Sequence, residues 1–339
     1  MGFTVDQSIG VCNMIYSKIA GTGFYIPKKI VTNDDLASYL DTSDEWIQRK
    51  IGIKERHVAA EGEVTSDMAA AAAEKALKNA GITADQVDLI ILAANLPDHI
   101  SPATAVQIQK KIGAENAFGF DIKCGGCPGL VYGITIGSKF IADGSCKNVL
   151  VTASDMNSRA IDWDDRLTAV ILGDGASAVL LQASDKPGII DTELHTDPSG
   201  YYGAYIPAGG TVEPITEQSL KERRQYFKMD GRAIFQFATT VFPDTVRSIV
   251  AKNNMTLDDI DFIIPHQANI NIIKESMSKL GLPMERTYTN VDKYGNTGGA
   301  SVGVALGEAI ERGVIKKGDK VVLVSFGAGL CWGAVLLEI

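Results

Sequence analysis

The amino-acid sequence predicts an α/β protein built from two duplicated α/β halves, each a layered arrangement of sheets and helices. Three observations predict this class: short apolar segments typical of buried strands, helical segments between them, and similar segments repeated at a constant spacing. Strands that are apolar without interruption belong to sheets that helices cover on both faces. We therefore predict one half from residues 15–185 and a second from residues 186–339.

The duplication is indicated by three pairs of segments, each separated by the same 173 residues. Two pairs are strand-like, and the middle pair opens a helical stretch after two glycines. The pairs are 87–91 with 260–264, Gly125-Gly126-Cys127 with Gly298-Gly299-Ala300, and 149–152 with 322–325. The alternative is that α/β chains repeat such patterns without any duplication.

Composition limits the classes of function. The chain has 339 residues, of which 45% are hydrophobic and 22% charged, so it has enough apolar sequence for a large core. A net charge of -9 disfavours binding to nucleic acid or to an anionic membrane. The longest apolar runs fall well short of the roughly 20 residues that span a bilayer, and no secretion signal begins the chain. Five cysteines, an odd and sparse number, favour a reducing compartment. We expect a soluble cytoplasmic protein.

Cys127 is the first candidate for chemistry. It follows two glycines at the predicted start of a helix, where unpaired amide groups and the helix dipole favour a thiolate. Gly126 permits close backbone approach, and the Cys127 amide is placed to bind an oxyanion. Pro128 is suited to the first helical turn. Cysteines with apolar neighbours are nevertheless often structural.

Cys124 and Cys127 also form a C-x-x-C pair, which is compatible with metal or redox chemistry. A structural zinc site needs about four ligands. The sequence has no second cysteine pair and only four scattered histidines, so we predict no metal site. Thioredoxin-like redox activity stays open as an alternative, and otherwise Cys124 is incidental.

His266 and Asn296 are the other candidates. His266 follows a predicted buried strand by two positions, and Asn296 lies in a Gly/Thr-rich turn just before the helix that corresponds to the one begun by Cys127. Catalytic groups of α/β proteins lie at strand ends and helix starts, and internal symmetry would bring the two helix starts to a common centre. The alternative for His266 is a structural, hydrogen-bonded histidine. The remaining histidines are expected at the surface: His57, His99 and His195.

Seven ordered motifs resemble the β-ketoacyl-acyl-carrier-protein synthase III family of thiolase-like condensing enzymes. The resemblance extends from about residue 19 to the end and implies a thiolase-like fold. Residues 1–14 precede it and have no predicted role. The motifs are DTSDEWI at 41–47, IGIKERH at 51–57, FDI at 120–122 leading to Cys127, GDG at 173–175, HQAN at 266–269, YGNT at 294–297 and FGAGLCWG at 326–333.

The resemblance implies a catalytic triad of Cys127, His266 and Asn296. Cys127 would take the acyl group of an acyl-CoA, with the oxyanion bound by the amides of Cys127 and Ala328. His266 and Asn296 would donate hydrogen bonds to the thioester oxygen of malonyl-ACP or malonyl-CoA during decarboxylation. The carbanion would then attack the acyl group and give a 3-oxoacyl thioester, in fatty-acid initiation or related specialised metabolism. No metal or organic cofactor is implied, because coenzyme A enters as part of the substrate.

The resemblance also implies a coenzyme A site and a homodimer whose central sheet crosses the two subunits. Thr42 and Trp46 would flank the nucleotide, with Trp46 stacked on adenine, while Arg166 and Asn269 would line the channel. Lys50 stands where the family usually has arginine. Lysine keeps the charge but loses the planar, bidentate geometry.

The sequence departs from the family at several places. The approach to the nucleophile, residues 123–126, is one residue longer than usual. Gln236 and Asn271 replace basic residues thought to meet the acidic carrier protein, which weakens the electrostatic grounds for carrier binding. Ser101 and Leu172 replace bulkier aromatic residues of the acyl pocket, which predicts a roomier or differently shaped pocket.

These departures leave two alternatives to condensation. The first is an acyltransferase that passes the acyl group from Cys127 to an oxygen or nitrogen nucleophile without a new carbon-carbon bond. The second is a non-catalytic or thiol-redox protein that inherited the fold.

Overall fold

The computed structural model describes residues 15–124 and 126–339. Residues 1–14, which include Cys12, and Gly125 of the predicted glycine pair lie outside the described residues. The strands are β1 Tyr16–Tyr25, β2 Lys29–Thr32, β3 Glu55–Val58, β4 Leu89–Ala93, β5 Phe118–Ile122, β6 Asn148–Asp155, β7 Gly175–Ser184, β8 Ile189–Thr196, β9 Ala204–Tyr205, β10 Lys228–Met229, β11 Phe262–Pro265, β12 Lys320–Gly327 and β13 Cys331–Glu338. The helices are α1 Asn33–Ala37, α2 Asp44–Lys50, α3 Thr65–Ala80, α4 Thr104–Ile112, α5 Gly129–Ala142, α6 Arg166–Ala169, α7 Glu217–Lys221, α8 Gly231–Lys252, α9 Ile270–Leu280, α10 Val291–Tyr294 and α11 Ser301–Glu311.

Two mixed sheets form the framework. Their strand orders are β1-β7-β6-β4-β5 and β8-β13-β12-β11, and the first two pairings of each sheet are antiparallel while those that follow are parallel. A single parallel bridge from Ile263 to Thr287 takes the place of β5 in the second sheet. The sheets therefore correspond strand for strand, which is what a duplicated chain produces. The predicted boundary after residue 185 lies between β7 and β8. Two small hairpin-like pairs, β2-β3 and β9-β10, stand outside these sheets.

Helices form three layers around the two sheets. The middle layer, α5 and α11, shares one buried core with the facing sides of both sheets. The outer layers are α3 and α4 on the first sheet and α8 and α9 on the second. Because both faces of α5 and α11 contact a sheet, their sequences are apolar nearly all round. Helices of 14 and 11 residues are marginal in isolation, so burial between the sheets holds them in place.

The start of α5 differs from the prediction. The helix begins at Gly129 with Pro128 as its N-cap residue, so Cys127 lies in the turn before the helix. Pro128 has φ -79° and ψ 6°, a conformation that joins the turn to the helix without a side-chain cap. Within the described residues, each helix is too short or too polar to cross a bilayer.

Candidate active site

The carboxyl ends of parallel strands from both sheets meet at one region of the molecule. Cys127 follows β5, Asp155 ends β6, His266 follows β11, and Ser325 lies near the end of β12. These positions lie at or near the carboxyl edge of each sheet, where α/β proteins build their sites. The strand predicted before His266 is confirmed by β11.

Cys127 is held through its main chain. The Ser325 hydroxyl donates a hydrogen bond to the Cys127 carbonyl oxygen at 2.8 Å, and the Gly129 amide donates to the Gly126 carbonyl at 2.8 Å, closing the turn. Gly126 has φ +71°, and a Cβ there would collide with the Asn95 side chain, so this position requires glycine. The turn therefore fixes Cys127 without using its thiol.

The expectation of a thiolate at Cys127 is reversed by its surroundings. Cys127 keeps some exposed surface, but burial among protein atoms raises the pKa of its thiol to about 12. The nearby Asp155 carboxyl raises this pKa further, against a smaller lowering by the amide of Cys127 itself. Asp155 is 1% exposed and accepts hydrogen bonds from the amides of Asn95 at 3.0 Å and Gly299 at 2.6 Å. The free site thus holds a neutral thiol.

The raised pKa of Cys127 predicts a steep pH dependence of alkylation. Below its pKa the thiolate fraction grows about tenfold per pH unit, so the rate of iodoacetamide labelling at Cys127 should keep rising from pH 7 to pH 10. Mass spectrometry of the peptide gives this rate, with free cysteine as control because its pKa of about 8.5 makes it level off near pH 9. A plateau at Cys127 below pH 8 would instead indicate a thiolate stabilised by the helix.

His266 is buried and neutral. Its residue is 2% exposed, its amide donates to the Val324 carbonyl at 2.8 Å, and Phe326 packs edge-to-face on its ring with centroids 5.3 Å apart. His266 Nδ1 lies 2.6 Å from Ser301 Oγ. Burial lowers the pKa of His266 to about 3. The imidazole therefore offers one donor and one acceptor nitrogen at neutral pH.

Asn296 presents its amino group. Its main chain is fixed by hydrogen bonds to Ile171 O at 2.9 Å and from Gly173 N at 3.0 Å, and the residue is 8% exposed. The Gly298 amide donates to Asn296 Oδ1 at 2.9 Å. Because that position demands an acceptor, the amide oxygen must face Gly298, and Nδ2 is left as the donating end of the side chain.

Short contacts connect the turns and strands that carry the three predicted catalytic residues. Ser325 and Val324 are adjacent on β12. The Ser325 hydroxyl donates a hydrogen bond to the Cys127 carbonyl, and the Val324 carbonyl accepts one from the His266 amide. A Cβ on Gly299 would lie only 2.7 Å from Gly126 O. The turn before α5 and the 3-10 turn Gly298–Ala300 before α11 therefore touch through two residues that correspond in the repeat. The common centre expected from the symmetry is present in the fold.

Four of the five residues predicted to bind coenzyme A lie on α2 or contact it. Trp46 and Lys50 belong to this helix, Arg166 lies over the Trp46 ring at 5.2 Å, and Asn269 Nδ2 donates to Lys50 O at 3.2 Å. The fifth, Thr42, precedes the helix, and its Oγ1 is buried without a hydrogen-bond partner in the described part of the chain. A flat aromatic surface and a guanidinium beside it suit a nucleotide.

Two asparagines at the start of α9 fasten the end of α2. Asn269 Oδ1 accepts from the Asn271 amide at 2.8 Å, and Asn271 Nδ2 donates to Arg49 O at 3.1 Å and Lys50 O at 2.8 Å. The last carbonyls of a helix need such donors. Asn271 is thus more than a lost positive charge, because it caps the helix that carries Trp46.

Comparison with known proteins decides the family. Family models described as 3-oxoacyl-[acyl-carrier-protein (ACP)] synthase III and its C-terminal region match residues 120–198 and 250–339. A beta-ketoacyl-[acyl-carrier-protein] synthase III from Xanthomonas campestris is 42% identical over 96% of this chain and 98% of its own. One from Clostridium acetobutylicum is 41% identical over 95% and 98%. The chain belongs to the β-ketoacyl-acyl-carrier-protein synthase III family.

Solved structures agree with this assignment. A synthase III from Aquifex aeolicus has a TM-score of 0.88 at 38% identity and covers 95% of this chain and 100% of its own. One from Thermus thermophilus has a TM-score of 0.88 at 39% identity, with 95% and 99% covered. The thiolase-like fold, the family and the β-ketoacyl synthase III-like function predicted from the motifs are confirmed, and no comparison favours the acyltransferase alternative.

The remaining predicted site residues differ in how close they lie to the predicted triad. Leu172 is half-buried and forms a parallel bridge with Asn296, beside the triad. Ala328 is half-buried in the turn that follows β12. Ser101 is exposed on the loop 94–103, so within one chain only Leu172 of the acyl-pocket pair adjoins the triad. A surface cavity of 690 Å³ elsewhere, beside Tyr39, contains none of the predicted site residues.

The C-x-x-C pair has no metal-site geometry in the described residues. There, no group of three or more His, Cys, Asp or Glu side chains is arranged to hold a metal ion. Burial raises the pKa of Cys124 to about 12, with Cys331 and Asp155 adding to the effect. Burial raises the pKa of both thiols of the pair alike, so their pKa values do not distinguish the two cysteines.

Sequence reasoning missed three buried polar residues of the synthase III site: Asp155, Ser301 and Ser325. Asp155 ends β6 and Ser325 lies two residues before the end of β12, so the strand-end rule applied to His266 points to both. Ser301 carries no such signal, because serine at a helix start is ordinarily a capping residue.

Proposed function

We propose that this chain moves an acyl group from coenzyme A to Cys127 and condenses it with a malonyl thioester, releasing carbon dioxide and a 3-oxoacyl thioester. This is the reaction of a 3-oxoacyl-acyl-carrier-protein synthase III type of acyltransferase. The observation that carries the proposal is the pair His266 and Asn296, both uncharged, buried and beside the nucleophile's turn. Such a pair suits an oxygen on which negative charge develops.

In the first step, Cys127 Sγ would form a bond to the thioester carbonyl carbon, and the bond to the coenzyme A sulfur would break. The Cys127 proton ends on the released coenzyme A thiol. The amides of Cys127 and Ala328 are proposed to bind the oxyanion.

In the second step, loss of carbon dioxide from the malonyl thioester would place negative charge on its thioester oxygen. His266 and Asn296 Nδ2 are proposed to donate hydrogen bonds to that oxygen. Fixed donors in a buried site are worth more than donors in water, and the loss of one such donor typically costs about 10²–10³ in rate. The enolate carbon then attacks the carbonyl carbon of acyl-Cys127, the bond to Cys127 Sγ breaks to release the 3-oxoacyl thioester, and the expelled thiolate takes a proton from water to regenerate the thiol.

The test is a mass-spectrometric assay of the purified protein with a panel of acyl-CoA compounds and either malonyl-CoA or malonyl-carrier protein. We expect acyl mass on Cys127 and, after malonyl addition, carbon dioxide and a 3-oxoacyl product. Acyl-Cys127 without either product would sink condensation and favour transfer to an oxygen or nitrogen nucleophile. Failure of every acyl group to label Cys127 would sink both. The same acyl-CoA panel tests the prediction, made from Ser101 and Leu172, that the acyl pocket is roomier or differently shaped than is usual in the family.

We propose that malonyl groups arrive on an acyl carrier protein, the carrier that the names of the relatives specify. Four cations on three helices are exposed and lie outside the ion pairs of the described residues: Arg49, Lys50, Arg232 and Lys274. They belong to α2, α8 and α9, and α8 packs on α9, whose first turn holds α2. We propose that these four cations form a patch that supplies the positive charge that Gln236 and Asn271 do not.

A charge reversal tests the patch. Lys274→Glu is expected to raise the KM for malonyl-carrier protein about tenfold, since a like charge at a docking rim costs affinity, and to leave the KM for malonyl-CoA within about twofold. Lys317→Glu is the matched control, because Lys317 is exposed beside the start of β12, at the opposite end of that strand from Ser325. Equal effects of the two variants would contradict carrier docking at the patch.

We further propose a homodimer joined along β5, the edge strand of the first sheet. Phe118 on this strand is 50% exposed, and unpaired strand edges tend to pair. Light scattering should give twice the chain mass of 36.2 kDa, and the mass of a single chain would exclude the dimer.

The reaction as proposed needs no metal or organic cofactor, so the enzyme's activity should survive treatment with a chelator. The protein's free cysteines fit our proposal that it resides in the reducing cytoplasm. Cell fractionation would check this location.

A further inference from the structure

We infer that Ser301 is the positioning residue that decides which nitrogen of His266 carries the proton. Ser301 is 1% exposed and is the first residue of α11. Its Oγ lies 2.6 Å from His266 Nδ1 and 3.3 Å from the Gln267 amide nitrogen. Two groups, a backbone amide and an imidazole nitrogen, therefore meet at one buried hydroxyl oxygen.

The hydrogen atoms around Ser301 Oγ follow from what each neighbour can do. The Gln267 amide can only donate, so it occupies a lone pair of Oγ. The hydroxyl hydrogen of Ser301 then needs an acceptor, and within the described residues His266 Nδ1 is the acceptor in reach. If Nδ1 carried the proton, Oγ would receive two hydrogen bonds and its own hydrogen would have none. A buried unpaired hydroxyl is disfavoured by roughly tenfold or more in population.

The consequence is a His266 with its proton on Nε2. Burial keeps the imidazole neutral, so donation into Nδ1 leaves Nε2 as the donor nitrogen. This orientation serves the condensation step and not the acylation step, because Nε2–H can donate to a thioester oxygen but cannot take the proton of Cys127. The role rests on the proposed function, in which His266 donates to the malonyl thioester oxygen.

The ring position of His266 does not depend on Ser301 alone. Its amide is held by Val324, and Phe326 packs on its ring. Removing the Ser301 hydroxyl should therefore release the choice of tautomer while the ring stays in place. A residue that merely filled space would not change the tautomer when replaced.

The experiment compares Ser301→Ala, Ser301→Thr and the control Ser276→Ala. Ser276 is also fully buried in the second half, but its hydroxyl has no hydrogen-bond partner in the described residues. Three quantities are measured: the rate of Cys127 acylation, the rate of 3-oxoacyl formation, and the tautomer of His266 from its ¹⁵N NMR shifts, assigned with a His266→Gln variant.

Ser301→Ala is expected to keep acylation within about twofold and to lower condensation about 10- to 100-fold, with His266 moving from Nε2–H to a mixture of tautomers. Ser301→Thr keeps a hydroxyl and should restore both condensation and the Nε2–H signal. Ser276→Ala should resemble the unmodified protein in all three measurements.

The inference is overturned if Ser301→Ala retains pure Nε2–H, if acylation and condensation fall together, or if Ser276→Ala loses as much condensation. If a variant does not fold, the NMR spectrum of the unmodified protein still tests the inference. A His266 with its proton on Nδ1 in that spectrum would overturn it. A tautomer that responds to Ser301 in a protein with no condensation activity would instead refute the proposed function and leave the Ser301 assignment standing.

Discussion

Replacement of Cys127 by alanine is expected to abolish acylation and to lower condensation by roughly 10⁴-fold or more, as removal of a covalent nucleophile does. Alanine has no sulfur to hold the acyl group. The fold should survive, because Ser325 binds the main-chain carbonyl of residue 127, which any residue retains. Intact-mass spectrometry after incubation with acyl-CoA measures the first effect, and 3-oxoacyl product measures the second.

Cys124→Ala is the matched control for this prediction. Both cysteines have a thiol whose pKa burial raises to about 12, and they are three residues apart, so chemistry based on thiol reactivity alone would involve both. We expect Cys124→Ala to acylate and condense within a fewfold of the unmodified protein. Comparable loss in the two variants would revive the redox interpretation of the C-x-x-C pair and contradict a dedicated nucleophile.

The alternation of elements could be predicted because local sequence encodes it. Strands covered on both faces are apolar without interruption, so β4, β6, β11 and β12 all stand out, and their equal spacing reveals the duplication. The pairing of β1 with β7 could not be predicted in the same way. Those strands lie more than a hundred residues apart, and no local pattern specifies so distant a partner.

The strand-end and helix-start settings of Cys127, His266 and Asn296 can be read from the sequence, but their electrostatics cannot. A helix dipole changes the energy of a nearby charge by about 0.3–1 kcal/mol, less than one pKa unit. Burial shifts a pKa by up to about 3–5 units. The dipole of α5 was visible in sequence, whereas the burial of Cys127 beside Asp155 depends on the packing of both halves. The larger effect was the one that only the fold reveals.

The role of Asn271 shows the same limit on a smaller scale. In sequence it replaces a basic residue and indicates only lost charge. In the structure it donates to the last carbonyls of α2, 220 or so residues earlier in the chain. The contact joins the helix of Trp46 to the helix that follows His266, so Asn271 supports the helix on which the proposed coenzyme A site is built.

Asn296 is expected to separate the two chemical steps. Asn296→Ala should leave acylation of Cys127 within about twofold and lower condensation about 10²–10³-fold, because only the second step is proposed to use its Nδ2 donor. Acylation is followed by protein mass in single turnover, and condensation by carbon dioxide and 3-oxoacyl product. Asn253→Ala, which removes an asparagine hydrogen bond to Asp191 far from the site, controls for a general loss of stability.

Alanine also removes the Oδ1 acceptor of the Gly298 amide, so its effect combines a lost donor with a loosened turn. Asn296→Asp separates the two, since a carboxylate still accepts from Gly298 but has no amino group to offer a thioester oxygen. If the turn alone mattered, aspartate would restore condensation. If the donor matters, aspartate should condense no faster than alanine, because its negative charge also opposes the enolate. Equal loss of acylation and condensation in both variants would contradict the role assigned to Asn296.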